Sequence, residues 1–595
     1  MGRARRAGRT KKIAKPGGGN ESGRRAIPMT ESEKPGPSGA CPWSRDLLLL
    51  AAAFGILYFF MVGHAALGNP DEGRYAEIPR EMLATGDWIT PRLDGVNYFE
   101  KPPLGYWVTA ASEDLFGQNE WAVRAVPVLF AVMGALLTYA AARRLHGRTA
   151  GLVAAIVLGT SVLWFVIGHI PILDMAVSVF MAATLFCFLL AVREPPGARR
   201  RWLFYGLYAS SALATMTKGL MGFLIAGAVM FFWLLLFNQW KRLRPLYLPT
   251  GALLFLALAL PWHLLVAARN PTWIHRYIVY EHFQRFFSAT VTGHLQPWWF
   301  FLPVVLLGLF PWTGFLWPVG RDLLRSGWAR RHEHADTWFF VIWAGFILLF
   351  FSASHSKLTP YILPIFPALA VLIGAGLAPA FVAPGAVRTL RVGLRTFSFL
   401  CGLLAVALVV VLARPALVKM DPAQALALQP PAFLMATVLV LGGILAPWLA
   451  RRRGVRSALA AVVATMALFY LSLEWAAPSI QKPGTKELAL YVRARVRPGD
   501  HVVHYHDFFH DFTFYAGRTV DVVDGKGELE EEEDAVAEAS GRFMHEADFR
   551  RLWTQPGRVY VVARKRDVTA LFADPAFHKK LLDETPDHYL FSNQP

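Results

Sequence analysis

The apolar run LLLLAAAFGILYFFMVGHAAL at residues 47–67 is followed almost at once by NPDEGRYAEIPREM at residues 69–82. The first is long enough to cross a bilayer, because a spanning helix needs about 20 mainly apolar residues. The second places two carboxylates, Asp71 and Glu72, where the hydrocarbon ends, with Arg74 just behind them. Another charged cluster, YFEKPP at residues 98–103, follows a short way on. Ionisable groups are expensive to keep at a membrane edge and mark a functional site by default. The stretch therefore reads as a membrane-spanning helix delivering its polar residues to a surface where chemistry is done.

The remainder of the chain repeats the first half of that pattern. Its 595 residues are 55% hydrophobic and only 17% charged, against about 25% charged in an ordinary soluble domain. Apolar blocks fall near 47–67, 121–141, 150–169, 171–192, 203–217, 219–238, 246–268, 298–317, 337–354, 359–378, 396–413, 432–450 and 455–475. They predict a polytopic α-helical membrane protein of about thirteen spans. Cys41, Cys187 and Cys401 lie in separate segments and suggest neither a disulfide framework nor a metal cluster.

A net charge of +18 resembles a nucleic-acid signal until its placement is examined. Arg3, Arg5, Arg6, Arg9, Lys11, Lys12, Lys15, Arg24 and Arg25 crowd a Gly-rich amino-terminal stretch without apolar periodicity. Residues 1–46 are thus expected to be a disordered basic tail, serving a positive-inside topology or an anionic-lipid contact, with no nucleic acid as partner. Met29 is an alternative start. The first apolar run is too long for a cleaved signal peptide and lacks a small-residue cleavage site.

Basic residues then alternate by loop. Arg143, Arg144 and Arg148 fall in one, Arg199 to Arg201 in the next, then Lys241, Arg242 and Arg244, and later Arg451 to Arg453. Lysine and arginine bias sets orientation, which puts the amino terminus in the cytoplasm. An odd number of spans then places loops 68–120 and 269–297, and the carboxyl-terminal region, outside. The membrane domain is expected over 47–478 and a soluble α/β domain over 479–595. Strand-like runs at 502–503, 520–523 and 559–562 alternate there with helical stretches near 486–496 and 547–553, as an α/β domain requires. The acidic run 528–534 reads as a solvated loop. His504, His506 and His510 have no consistent ligand spacing and are expected in structural or surface roles.

Nearly every unusual polar residue belongs to the outward loops and span ends: Asp71, Glu72, Arg74, Glu100, Lys101, Asp174, Lys218, Glu281, His282, Arg285, Lys357 and Tyr361. Each alone has a plain structural account: Lys218 as a loop lysine, Arg74 as a helix cap, His282 as an interfacial ring. Together, on one side of a membrane, they point to a substrate. Arg74, Lys101, Arg285 and Lys357 suit a phosphate at headgroup depth, which arginine binds as a fork and lysine as a point charge. A carboxylate among such cations stays ionised. It can serve as general base, position an acceptor or stabilise an oxocarbenium-like centre. The chain has no Gly-rich nucleotide cradle, which favours a lipid-linked phosphate donor over a nucleotide sugar.

The motifs DExRYAEIPREM, GDWIxP, YFEKPPLGYW, TKG, EHxQRF and KLxxYILP stand in this order. Their combination resembles the bacterial 4-amino-4-deoxy-L-arabinose lipid A transferases, within the protein O-mannosyltransferase-like, polyprenyl-phosphate-dependent glycosyltransferases. The resemblance runs from about residue 47 to the end, and includes YAGR at 515–518 and DGKGEL at 524–529 more weakly. It implies a GT-C type membrane fold of thirteen spans in the bacterial inner membrane, acting as a monomer on the periplasmic face. It implies transfer of a sugar from undecaprenyl phosphate to lipid A or another lipid. Carried over by motif, Asp71 and Asp174 match the functional acids. Lys101, Arg285 and Tyr361 match the phosphate-handling positions, with Arg74 and Lys357 nearby, while Glu72 and Lys218 fall among substrate-binding residues. Glu100 and His282 match residues close to a bound divalent metal, such as zinc, in some relatives. Gly73 departs from the family's usual Thr, a change expected to alter local backbone freedom.

The implied reaction is inverting, with Lys101 and Arg285 clamping the donor phosphate and Tyr361 bonding to it. Asp71 is a general base if the acceptor is a hydroxyl, and a positioning group, or a partner for an amino-sugar ammonium, if the acceptor is already a phosphate. Two rivals bear on this reading. The same donor chemistry could serve a protein, glycan or other lipid acceptor. A transporter would instead keep its polar residues at the bilayer midplane in repeated halves, which this chain does not show.

Overall fold

The computed structural model describes residues 43–284, 295–326, 328–382, 387–418, 420–481, 484–525, 527 and 541–594. The helical part begins with α1 (Trp43–Phe59), α2 (Asp71–Thr85), α3 (Leu104–Phe116), α4 (Glu120–His146), α5 (Arg148–Gly159), α6 (Val162–Ile167), α7 (Leu173–Arg193), α8 (Ala198–Lys218), α9 (Met221–Phe237) and α10 (Leu248–Arg269). A π-helical segment (Ile274–Gln284) leads to α11 (Phe301–Gly308), α12 (Thr313–Ser326), α13 (Ala335–Ala353), a 3-10 turn (Thr359–Ile365), α14 (Phe366–Leu377), α15 (Val387–Ala413), α16 (Pro422–Arg453) and α17 (Val455–Ile480).

Among the described residues, eight helical segments are long and apolar enough to cross a membrane, or nine if the α11–α12 pair, bent by 106°, is one span. The bend falls beside Pro311, whose missing N–H cannot continue a helical ladder. The expected spans at 47–67, 150–169, 203–217 and 219–238 fall on α1, the α5–α6 pair, α8 and α9, which are shorter or more polar. Apolar side chains such as Leu253 (68% exposed) and Leu264 (59%) on α10 face outward from the bundle, as a lipid-facing surface requires.

Three boundaries differ from expectation. The helix of the first span starts at Trp43, so residues 43–46 belong to it and Asp46 is already buried. Asp46 pairs with Arg143 at 2.8 Å and Arg148 at 2.7 Å. That helix ends at Phe59, short of residue 67, because the carbonyls of Val62, Ala65 and Ala66 turn toward the guanidinium of Arg124. At the other end α17 runs on to Ile480, past the expected boundary at 478.

The segment 68–120 is folded. It forms α2, a hairpin of β1 (Arg92–Leu93) and β2 (Val96–Asn97), and α3. Asp71 and Glu72 occupy the first turn of α2, where carboxylates complement the positive end of the helix dipole. Gly86 closes the helix at φ +70°, donating to the Met82 carbonyl at 2.9 Å, the left-handed cap that glycine adopts without strain.

The carboxyl-terminal part adds α18 (Lys486–Arg493), β3 (His501–Tyr505), α19 (His510–Ala516), β4 (Asp521–Val523), β5 (Phe543–Met544), α20 (Glu546–Trp553), β6 (Val559–Arg564), α21 (Thr569–Ala573), β7 (Lys580–Glu584) and β8 (His588–Ser592). One six-stranded sheet has the order β5-β4-β3-β6-β8-β7, parallel from β5 to β6 and antiparallel beyond. Strand β6 reads VYVVAR and is buried on both faces, the continuous apolar pattern of a central parallel strand. Val559, Val561 and Ala563 pack with Phe549 and Trp553 of α20 on one face. Tyr560 and Val562 on the other join α18 and α19 in a core that also contains Ala76, Ile78, Leu93, Val96 and Tyr106. The α2–α3 segment and the sheet domain thus share one hydrophobic core.

His504 and His510 take structural places in that domain. His504 is fully buried and accepts the Phe509 N–H at 3.2 Å, and burial pushes its imidazole down to about 3. His510 bonds to Asn69 through its backbone N–H and its ring, both at 3.2 Å. His506 is partly exposed, 3.8 Å from Glu546. The expected acidic loop at 528–534 lies outside the described residues.

Candidate functional site

Two charged clusters form at the end of the bundle that carries α2. In the first, Asp71 pairs with Arg74 one turn along the helix, and Arg74 reaches the Tyr98 hydroxyl at 3.4 Å. Lys101, just before α3, donates to Glu281 at 2.9 Å and lies 3.6 Å from the Glu100 carboxylate. Tyr75 sits among these groups. Burial raises its hydroxyl well above the ordinary value, Arg74 and Lys101 pull it down, and Glu100 and Asp71 push it up. Its ring stacks on Tyr106 of α3 at 5.9 Å. The start of α2 and the segment before α3 therefore surround one tyrosine with two cations and two carboxylates, and Glu281, 180 residues further on, holds one of those cations.

The second cluster joins Asp174 at the head of α7 to Lys218 at the end of α8, at 2.5 Å. The Lys218 ammonium also lies 4.8 Å from the centre of the Tyr361 ring, within reach of a cation–π attraction. A narrow crevice lined by Tyr75, Gly105, Tyr106 and Leu173 runs between the helices bearing the two clusters. At Gly105, α3 comes so close to Leu173 that a Cβ would overlap it. A small aromatic core holds the same elements from another side, with Phe99, Met216 of α8, Trp262 of α10 and Tyr277 of the π-helical segment.

Two of the expected residues have other partners. Glu72 is buried and forms a two-pronged pair with Arg124 of α4, at 2.9 and 2.8 Å, while accepting the Gly68 N–H at 2.6 Å. Lys357 donates to the carbonyls of Gln296, at 3.0 Å, and Ser354, where burial holds its ammonium below the ordinary lysine value. It fastens residues 295–296 to the loop after α13, as does the bridge between Leu295 and Ser356. Arg285 and the side chain of His282 lie outside the described residues. Glu100, expected near a metal with His282, faces the Lys101 ammonium. Among the described residues no three His, Cys, Asp or Glu side chains are grouped to hold a metal ion.

At Gly73 the absent side chain serves packing as well as backbone freedom. A Cβ there would lie 2.5 Å from the Asp511 nitrogen and 2.7 Å from the His510 carbonyl carbon. The glycine is thus a point of closest approach between α2 and α19. Arg124 and Tyr75 are members of this region that the chain's motifs do not single out, while Glu281 is singled out beside His282 but not as the partner of Lys101. Arg124 carried a usable signal, a lone guanidinium inside an apolar span.

With this geometry in view, the likeness to known proteins becomes specific. The family model for dolichyl-phosphate-mannose-protein mannosyltransferase matches residues 43–280. The undecaprenyl phosphate-alpha-4-amino-4-deoxy-L-arabinose arabinosyl transferase of Edwardsiella ictaluri is 36% identical over 325 residues, 54% of this chain and 58% of its own length. Its counterpart from Pectobacterium carotovorum is 38% identical over 339 residues, 56% of this chain and 59% of its own. The matched stretch thus spans less than two thirds of these curated relatives. The crystal structure of ArnT from Cupriavidus metallidurans bound to undecaprenyl phosphate superposes with a TM-score of 0.82 at 28% identity, covering 92% of this chain and 98% of that one. The apo form of the same protein gives 0.79 at 27% identity, covering 93% and 98%. These comparisons agree with the polytopic helical fold and its carboxyl-terminal sheet domain, and over residues 43–280 the chain is similar to the dolichyl-phosphate-mannose-protein mannosyltransferases.

Proposed function

We propose that the protein is an integral-membrane glycosyltransferase that moves 4-amino-4-deoxy-L-arabinose from undecaprenyl phosphate to a lipid A phosphate. The observation that carries this reading is a pair of charged clusters, Asp71–Arg74 with Lys101 and Asp174–Lys218–Tyr361, whose α2, α3 and α7 elements line one crevice. The fold likeness to a protein crystallised with undecaprenyl phosphate supports the choice of donor. The basic loops described above support a cytoplasmic amino terminus, with the site and sheet domain in the periplasm.

In this mechanism Lys101 exchanges part of its pairing with Glu281 and Glu100 for the donor phosphate, and Arg285 and Tyr361 complete the clamp. The bond from the anomeric carbon to the phosphate oxygen breaks, and its electron pair goes to the departing phosphate. An acceptor oxygen forms the new bond from the opposite face, so configuration inverts. Fixed positive groups stabilise the charge that develops on the leaving phosphate and need no rearrangement at that moment. A lipid A phosphate is already anionic, so Asp71 positions the sugar. A hydroxyl acceptor would instead deliver its proton to Asp71.

Mass spectrometry of lipid A from a strain lacking this chain, and from the same strain complemented, tests the proposal. An aminoarabinose mass increment that disappears and returns is the expected result. Lipid A unchanged between the two strains would overturn the acceptor and transfer the donor chemistry to another recipient.

A further inference from the structure

A cavity of about 430 Å³ lies where the segment after α1 and the end of α17 meet the start of α2 and α4 and the end of α6. Most of its wall is apolar, including Val62, Phe165, Leu473 and Ile480, and its charged lining comes from Asp71, Glu72, Arg124, His169 and Glu474. None of Lys101, Lys218 and Lys357 lines it. The cavity therefore shares Asp71 with the first charged cluster and none of the lysines.

The charged donors in the lining are already committed. Arg124 has five N–H groups. Two go to Glu72 at 2.9 and 2.8 Å, and three to the carbonyls of Val62, Ala65 and Ala66 at 3.3, 2.6 and 2.7 Å. The ring nitrogens of His169 face the carbonyls of Phe165 and Tyr58 at 2.8 and 2.9 Å. Glu474 Oε1 is 3.8 Å from Nε2 of His169, too far for a hydrogen bond, so that ring supplies it with none. Asp71 is paired with Arg74 and Glu72 with Arg124, which leaves Glu474 as the lining carboxylate with no hydrogen-bond partner among the described residues. Such a lining suits a cationic or hydroxyl-rich group and repels a phosphate dianion.

We infer that this cavity seats the ring of an amine-bearing sugar, and that Glu474 is the specificity-determining acceptor for its ammonium. The inference deepens the proposed function, resting on its premise that the transferred sugar carries an amine. Phosphate then stays with the lysines, the ring crosses Asp71, and the amine meets Glu474 against an apolar wall. Specificity for amine over hydroxyl or acylated amine follows, because a neutral substituent leaves the carboxylate without its counter-charge.

The test uses the purified full-length protein with two probes, methyl 4-amino-4-deoxy-L-arabinopyranoside and methyl L-arabinopyranoside, whose binding is followed by saturation-transfer NMR. The wild type should hold the amine about 10- to 100-fold more tightly, the range for a charge-assisted contact. Glu474→Gln should abolish that preference while leaving the neutral glycoside's affinity within about twofold. Ala477→Phe, which fills the cavity from the same helix, should weaken both probes and covers the case in which Glu474→Gln does not fold. Equal binding of the two probes to the wild type, a preference that survives Glu474→Gln, or unchanged binding in Ala477→Phe would each overturn the inference. An intact, Glu474-dependent amine preference in a protein that leaves lipid A unmodified would uphold the cavity assignment and overturn the proposed acceptor.

Discussion

Replacing Gly73 with alanine probes the junction on which the candidate site is built. The added methyl would lie 2.5 Å from the Asp511 nitrogen, 2.7 Å from the His510 carbonyl carbon and 2.9 Å from the Asp511 Cα. All three are backbone atoms, so no side chain can swing away. Carbon atoms in contact prefer about 3.5–4.0 Å, so α2 and α19 would have to separate by roughly 1 Å. That separation strains the bond from the His510 N–H to Asn69, at 3.2 Å, two residues before Asp71. Overpacking of this kind costs about 1–3 kcal/mol, and alanine recovers about 0.5–1 kcal/mol as a better helix former. The net expectation is a loss of about 1–2 kcal/mol, because backbone-to-backbone clashes sit at the upper end of the range. With about 2–4 °C lost per kcal/mol for a cooperative unit of 150–250 residues, the size of the sheet domain with the α2–α3 segment, the melting temperature of that unit in detergent should fall by several degrees at a fixed heating rate. Transfer should fall as well, since Asp71 and Arg74 move with α2. Gly227→Ala on α9 is the control, with nothing within 4 Å of its added Cβ. A Gly73→Ala protein that melts at or above the wild-type temperature and transfers normally would refute the close approach.

Lys101→Ala should lower transfer by about 10²–10³-fold, the usual effect of deleting one charge-stabilising donor, while the protein still elutes as a folded species; near-normal turnover would remove Lys101 from the phosphate clamp. Arg124→Met breaks a buried pair and strands Glu72, so it should cost about 3–5 kcal/mol and reduce the yield of folded protein. Asp71→Asn, at an exposed pair where the ion contact contributes little, should keep the wild-type melting temperature and lose activity. The sheet domain should also weaken in acid through His504. Its imidazole is about 3 in the folded state against an ordinary value of 6.5, so the unfolded chain takes up a proton that the folded one refuses. This contribution is fully present above pH 6.5 and is lost as pH falls toward 3, amounting to about 2 kcal/mol by pH 5. His504→Leu should flatten that acid limb in a pH series of melting curves, and an unchanged slope would exclude His504 as its source.

What could be read from the chain followed local rules. Apolar block length predicted the spans, and the change of composition after residue 480 predicted the sheet domain. The strand-like runs at 502–503, 520–523 and 559–562 lie in β3, β4 and β6. The pairings were hidden because they join distant residues. Glu72 stood beside Asp71 with the same charge, yet its partner is Arg124, and only the fold separates a buried structural pair from an exposed acid. Lys101 and Glu281 are 180 residues apart, and no periodicity links them. Lys357 resembled a phosphate ligand by charge and position, whereas the loop around it bends two carbonyls onto its ammonium. Gly73 suggested only a change in backbone freedom, because the contact that excludes a side chain comes from residues 510 and 511.

The shared core of the α2–α3 segment and the sheet domain has a consequence for synthesis. Tyr515 bonds to the Leu67 N–H, and Val520 and Arg542 bond to Asp94, across 448, 426 and 448 residues of chain. At about 5–20 residues per second, the segment bearing Asp71 and Lys101 is made some 20–90 s before its packing partner exists. During that interval the charged surface at the membrane edge is unfinished, with Ile78, Leu93 and Tyr106 still exposed to solvent or to a chaperone. A ribosome that stalls before the sheet domain would leave the helical bundle in the membrane without an assembled centre. Activity is thereby tied to completion of the chain, and truncation from the carboxyl terminus should silence the protein well before it removes any residue that touches substrate.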